Sequence, residues 1–212
     1  MNAEDERFSV PRGNDRQWTE VRGGREVTVT EHPVRAERVE FCNAPEDPET
    51  GPLTLNFHLG VGHEVDVHVH PEQTETITVT EGAIRTTIDG EERRMDVGDT
   101  ARIEPGVPHG YAVVGGEPVV LAVSMTPALA FEQFVVDEHA LAAEAYPESG
   151  LNLPYAALVA KRHGPMIAPP VGRLQLSVML ALLSVVGRLR RLRIPDQPLP
   201  VREGDHADGS SE

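Results

Sequence analysis

The chain is 212 residues long and carries a formal net charge of -15, with 34 acidic residues set against 19 basic ones. That length allows one core of ordinary size plus an appendage, and that charge repels a phosphate backbone, which excludes nucleic acid as a partner. The single cysteine, Cys42, excludes an intrachain disulfide and suits a reducing, intracellular compartment. Lys161 is the only lysine, the other basic residues being arginine. The acidic excess fits either a protein kept soluble in high salt, where ions screen self-repulsion, or the composition of a GC-rich genome. The opening MNAEDERFSV is acidic and lacks the positive flank and apolar core of a secretory signal, so a cytoplasmic location is expected.

In chain order, residues 1–38 read as an extended acidic arm holding one strand, the Val-Thr alternation from Glu26 to Thr30. From 39 to 127 short alternating runs of Val, Ile and Thr are broken every six to ten residues by Gly, Pro or Asp-Gly, the rhythm of an all-β sandwich or barrel. The clearest hairpin is AIRTTIDGEERRMDVGD, where Asp89-Gly90 supplies the positive φ angles of a two-residue turn. Residues 128–195 change to a helical period in three segments. The last stretch, 196–212, has almost nothing to bury and reads as a disordered acidic tail.

Within the β region, His68 and His70 stand two apart and share one strand face about 7 Å apart, so both can converge on one ion while Val67 and Val69 face away. Pro71 ends that strand. In the next one Glu75 leads the apolar row Ile77 and Val79, and Thr74, Thr76, Thr78 and Thr80 take the opposite face. Gly82 closes it at a sharp turn. In LTLNFHLG, burial favours Leu55 and Phe57 over Asn56 and His58 as the inward pair.

The run Gly62, His68, His70, Glu75 and Gly82 resembles the first motif of the cupin superfamily, G-x5-H-x-H-x(3,4)-E-x6-G, at every spacing. GDTARIEPGVPHGYAV is similar to the second motif, with Gly98, Gly106 and His109 in place; Glu104 stands where a proline is expected and Val113 where an asparagine is. Fifteen residues, Ala83 to Val97, separate the two motifs. The resemblance implies a mainly β fold, a jelly-roll barrel with a C-terminal α-helical appendage, and it implies His68, His70, Glu75 and His109 as the ligands of a metal. Such a ligand set suits one divalent transition metal, Fe, Mn, Ni, Cu or Zn, and leaves positions open for water or substrate in an octahedral site. Three histidines and a glutamate pointing into an apolar barrel would be costly to bury without an ion or a dense hydrogen-bond network. Tyr111 shares the parity of His109 and is the candidate donor to a bound substrate; Arg85 and Arg102 read as solvated surface, and His32, His63, His139, His163 and His206 as packing or surface histidines.

Two functional classes follow. One is a metal-dependent enzyme, an oxidoreductase such as a dioxygenase, or an isomerase, acting on a small organic molecule, with Glu75 doubling as a base. The other is a non-catalytic module that holds a metal or small ligand. The third helical segment, 171–194, carries +5 with no acidic residue, leaving -20 on the rest of the chain. Its charge-free run of fourteen residues, Leu174 to Gly187, rises only about 21 Å and is too short to span a bilayer. Its stripe of Leu174, Val178, Leu182, Val185 and Leu189 is expected to be buried against the barrel or a second subunit of a homodimer, with attachment to an anionic membrane surface as the alternative.

Overall fold

The computed structural model describes residues 16–22, 25–43, 45–145, 153–189 and 201–202. Two sheets, antiparallel throughout except for one edge pair, face each other across the main apolar core. The larger sheet is built from β1 (Gln17–Arg22), β2 (Arg25–Glu31), β3 (Glu37–Phe41), β4 (Leu53–Leu59), β6 (Thr74–Glu81), β9 (Thr100–Ile103), β11 (Val119–Thr126) and β12 (Val201–Arg202), in the order β12-β1-β2-β3-β4-β11-β6-β9. The smaller one holds β5 (Glu64–His68), β7 (Ala83–Ile88), β8 (Glu91–Asp96) and β10 (His109–Val113), in the order β5-β10-β7-β8.

Alternation in the sequence decides which side chains enter the core. Leu53, Leu55, Phe57 and Leu59 of β4 are buried while Thr54, Asn56 and His58 between them are only half-buried, so Leu55 and Phe57 are the inward pair. β11 repeats the pattern with Val119, Leu121, Val123 and Met125, and β6 with Glu75, Ile77 and Val79. The β7–β8 hairpin turns on Asp89 (φ 50°) and Gly90 (φ 82°), the two left-handed residues of a tight turn. Gly82 between β6 and β7 has φ 73°, and a Cβ there would stand 2.7 Å from the Pro118 carbonyl oxygen. Only glycine suits both conditions.

The N-terminal arm contains two strands rather than one. β1 and β2 pair over their whole length, and β2 pairs with β3, so the hairpin extends the large sheet. Val27 and Val29 were legible as strand; Gln17–Arg22 was not, because its polar alternation has no apolar face apart from Trp18 and Val21. β12 pairs parallel with β1 inside the segment expected to be a tail. Residues 1–15 and the remainder of 196–212 lie outside the described residues.

The appendage is three helices, α1 (Phe131–Ala145), α2 (Leu153–His163) and α3 (Arg173–Leu189). α3 packs on α2, where a Cβ on Gly187 would already touch Leu158 at 3.1 Å. The face so used includes Leu180, Ser184 and Gly187. The stripe expected to be covered is therefore the opposite one: in the single chain Leu174 and Leu189 are each 79% exposed and Leu182 65%. Small residues at 184 and 187 permit a closer helix approach than the leucine stripe would. No described helix is long and apolar enough to cross a membrane.

α1 is held to the large sheet by polar contacts. Gln17 Nε2 donates to Thr30 Oγ1 at 2.9 Å and to the Val136 carbonyl at 2.6 Å. Thr30 Oγ1 meets His139 Nδ1 at 3.1 Å, and His139 Nε2 meets Glu37 Oε1 at 3.1 Å. Burial pushes Glu37 up, but the bond to His139 and the charges of His139, His63 and Arg35 outweigh it and hold the carboxyl down at about 2. Beside this pair, His32 is 1% exposed, and its Nδ1 accepts the amides of Val34 and Arg35. Burial, then the charges of His139 and Arg35, pull its pKa down to about 3. Glu37 partly opposes this, and His63 adds to it.

Because the folded His32 stays neutral where the unfolded one takes up a proton at its ordinary 6.5, its contribution is present above pH 6.5 and lost as pH falls toward 3. One proton corresponds to a slope of about 1.4 kcal/mol per pH unit. His32→Asn keeps an acceptor near the Nδ1 position and removes the titration. Denaturant melts between pH 6.5 and 4 should show a shallower loss of stability in this variant, and an unchanged slope would exclude His32 as a source of acid lability.

Candidate metal centre

Three short pieces of backbone bring the candidate ligands together. β5 ends at His68, and Val69 leaves the small sheet to pair instead with Ala168. His70 therefore lies past the strand and not within it, and Val69, expected to face away from the barrel, is covered, being 9% exposed. The prolines explain this: Pro71 forbids a continuing ladder, and the residue before a proline prefers extended backbone. Glu75 is the first inward residue of β6, opposite Ile103 of β9 and Met125 of β11. His109 opens β10 and pairs directly with His68.

One ring nitrogen from each of His68, His70 and His109 lies within 4.8 Å of the others, and all three side chains are buried. Among the described residues no other group of His, Cys, Asp and Glu converges in this way. Glu75, 4% exposed, stands against two of them, with Oε2 2.8 Å from His109 Nε2 and 3.7 Å from His70 Nε2.

The second nitrogen of each ring defines its tautomer. Nδ1 of His68 meets the Asp66 carbonyl at 2.8 Å, Nδ1 of His70 the Met166 carbonyl at 2.7 Å, and Nδ1 of His109 the Val107 carbonyl at 2.9 Å. A carbonyl only accepts, so each Nδ1 carries the hydrogen and each neutral ring turns an Nε2 lone pair toward the others. His109 Nε2 and Glu75 Oε2 are both fully buried and, despite their closeness, lack the alignment of a hydrogen bond. With the rings neutral, four acceptors meet with no donor among them, a set that suits a divalent transition metal.

The electrostatics agree. Burial, then the charges of His109 and His70, hold His68 down at about 4. Burial likewise lowers His70 against the opposing pull of Glu75. Burial pushes Glu75 up, but His109 and the other two histidines outweigh it and hold the carboxyl below its usual range. His109 moves the other way, its burial outweighed by Glu75.

Tyr111 points into the barrel and is 7% exposed. Burial first, then Glu75 and Glu37, push its phenol well above its usual range, so it stays protonated beside two carboxylates. Arg85 and Arg102 are exposed, Arg102 bonding Glu104 at 2.8 Å. His63 and His139 gather at Glu37, His32 stands edge-on to His139 at 5.2 Å, and His163 binds Asp137 at 2.6 Å.

The motifs did not reveal the part played by the appendage. Met166 supplies the carbonyl that fixes His70, the Phe131 ring stands edge-on to His70 at 5.7 Å, and Ala168 exchanges two backbone bonds with Val69, of 2.8 and 3.0 Å. The one signal for this in the sequence is GPMIAPP, where Gly164 and Ala168 each precede a proline and are biased toward extended chain between two helices.

Residues 55–125 match the family model described as the cupin domain. The barrel is accordingly a cupin domain, and a C-terminal helical extension follows it. No curated protein matches it. Among solved structures, an RmlC-like cupin from Shewanella frigidimarina is 19% identical over 53% of this chain and 95% of its own, with a TM-score of 0.43. The protein TT1209 of Thermus thermophilus is 28% identical over 37% of this chain and 74% of its own, with a TM-score of 0.35. A sugar phosphate isomerase of the cupin superfamily from Silicibacter pomeroyi is 29% identical over 35% and 50%, with a TM-score of 0.34.

Purified protein should carry about one divalent ion per chain by elemental analysis, and His70→Ala should reduce this to background. His58→Ala, which alters an outward residue of β4 beside Glu40, should leave it intact. Equal metal content in the His70 variant would exclude the centre.

Proposed function

We propose that this protein binds one divalent transition metal through His68, His70, Glu75 and His109 and acts as a mononuclear metal-dependent enzyme on a small organic substrate, of the dioxygenase or isomerase type. The observation that carries the reading is the meeting of four buried acceptors with every Nδ1 already committed to the main chain. A bound divalent ion supplies Lewis-acid or redox chemistry toward a substrate oxygen. The chain's own groups divide the remaining work. The histidines hold the site in one tautomer. Tyr111, kept protonated, donates to a substrate oxygen in the barrel. Glu75 is the carboxylate within reach of a substrate proton, and the barrel wall excludes water.

The near-complete burial of all four side chains favours a second reading, a metal-binding module without catalysis. To separate the two, protein loaded in turn with Fe(II), Mn(II), Ni(II), Cu(II) and Zn(II) is incubated with a panel of small hydroxy and keto acids, followed by mass spectrometry and an oxygen electrode. Metal-dependent turnover is expected, with Tyr111→Phe retaining its metal while losing about tenfold in rate, the worth of one hydrogen bond. Absence of turnover with every metal would leave the binding module.

The exposed stripe of α3 is assigned to a second copy of the chain. A surface of five half- to fully exposed aliphatic residues is a liability on a monomer, and the arginines flanking it find their complement in the -20 carried by the rest of a partner chain. Leu182→Glu should convert a dimer into a monomer in light scattering. A wild-type monomer that binds anionic vesicles through this helix would replace the dimer with a membrane contact.

A further inference from the structure

The segment between α2 and α3 reaches back to the candidate metal ligands, and its bonds to Val69 and His70 are made through its main chain. Residues 164–168 leave α2 through Gly164, whose φ is 88°, bend at Met166 and Ile167, and meet Val69 at Ala168 as a strap. Val69 N–H donates to the Ala168 carbonyl and Ala168 N–H to the Val69 carbonyl. Between them the Met166 carbonyl takes the His70 Nδ1 proton, from a residue 96 positions away. Ala168 is 2% exposed and Met166 7%, so the strap is seated and not merely laid over the surface. The other two histidines differ: His68 and His109 bond carbonyls two residues back in their own local chain, Asp66 on β5 and Val107 in the loop before β10. Their tautomers are fixed locally. That of His70 depends on the appendage.

We propose that the C-terminal appendage is part of the metal centre: the 164–168 strap positions His70, so that metal occupancy and docking of the strap are one linked equilibrium. This rests on the metal-binding reading above and goes further, in making Met166 and Ala168 positioning residues and the helices a reporter of the loaded state. A strap that is seated holds Nε2 of His70 toward the centre with its lone pair available; a strap that is displaced leaves His70 able to turn or to carry its hydrogen on Nε2, where it cannot bind an ion. Linkage is reciprocal, so the factor by which the strap raises metal affinity is the factor by which metal favours the seated strap. Partners that orient a ligating histidine typically affect metal affinity by roughly tenfold to a hundredfold.

The test uses the full chain with Zn(II) as the probe. Ala168→Pro removes the N–H that reaches Val69. It should bind Zn(II) ten to a hundred times more weakly in competition with a chelator while keeping the β-rich circular dichroism of the barrel. Imidazole 15N shifts give a readout that general loosening would not: in Ala168→Pro, His70 should leave the Nδ1–H tautomer while His68 and His109 keep it. Should that variant fail to fold, the wild type carries the test. Zn(II) should slow hydrogen exchange at the Val69 and Ala168 amides, and His70→Ala should abolish the slowing. The proposal is overturned by wild-type Zn(II) affinity in Ala168→Pro, or by one bound Zn(II) per chain with both amides exchanging at the metal-free rate. Failure of the wild type to bind Zn(II), Fe(II) or Mn(II) would remove the metal reading itself, and the linkage with it.

Discussion

Each of the three converging imidazoles has a single proton to place, and each places it on a main-chain carbonyl. What remains is a buried point where lone pairs from three rings meet a carboxylate. In a medium of low effective dielectric such an arrangement is unfavourable until a positive charge enters it. Without an ion, the charge available is a proton at His109, whose affinity for it is raised by Glu75, while His68 and His70 are pushed toward neutrality by burial. An ion of charge two answers all four acceptors together. The surrounding fold is arranged around supplying those carbonyls: the end of β5, the loop before β10, and the strap after α2.

The same logic recurs at a second buried polar group. Glu37, on β3, is answered by His139 from α1 and approached by His63 at 3.3 Å. Tyr111, an inward polar side chain, feels both Glu75 and Glu37. Both polar groups are thus completed from outside the barrel, His70 by the strap and Glu37 by α1. The helices satisfy groups that the two sheets bury and cannot satisfy alone, and in this sense the extension and the barrel form one folding problem.

The barrel was legible because it is encoded locally. Alternation in β4, β6 and β11 gave the inward rows, and Asp89-Gly90 gave the hairpin. The spacing of Gly62, His68, His70, Glu75, Gly82 and His109 placed the three histidines that the fold brings together, with Glu75 beside them. What was not legible depends on partners far along the chain. His68 and His70 look alike in the sequence, yet one sits on a strand and the other beyond its end, because Ala168 captures Val69. Which face of α3 meets α2 was not legible for a related reason: a helix apolar on most of its surface does not say which face is used within the chain, and Ser184 and Gly187 decided it by allowing a closer approach than leucines do. The β1–β2 hairpin was half hidden because its first strand has almost no apolar alternation to detect.

The energetics of the strap follow from an asymmetry in what hydrogen bonds contribute. The two bonds between Val69 and Ala168 exchange water partners for protein ones, and each nets only about 1 kcal/mol. The burial of Met166 and Ala168 adds to this, opposed by the entropy of ordering the segment, so docking by these terms alone is modest. Losing the Met166 carbonyl is different in kind. It strands a buried N–H on His70, at a cost of about 1 to 3 kcal/mol, or turns that hydrogen toward the centre and removes one of the proposed metal ligands. The strap therefore contributes less through the bonds it makes than through the state of His70 that its absence would impose. A contact of that kind is weak while the site is empty of charge and becomes strong once an ion requires the Nε2 lone pair, and so a metal site can govern the position of helices that do not touch the metal.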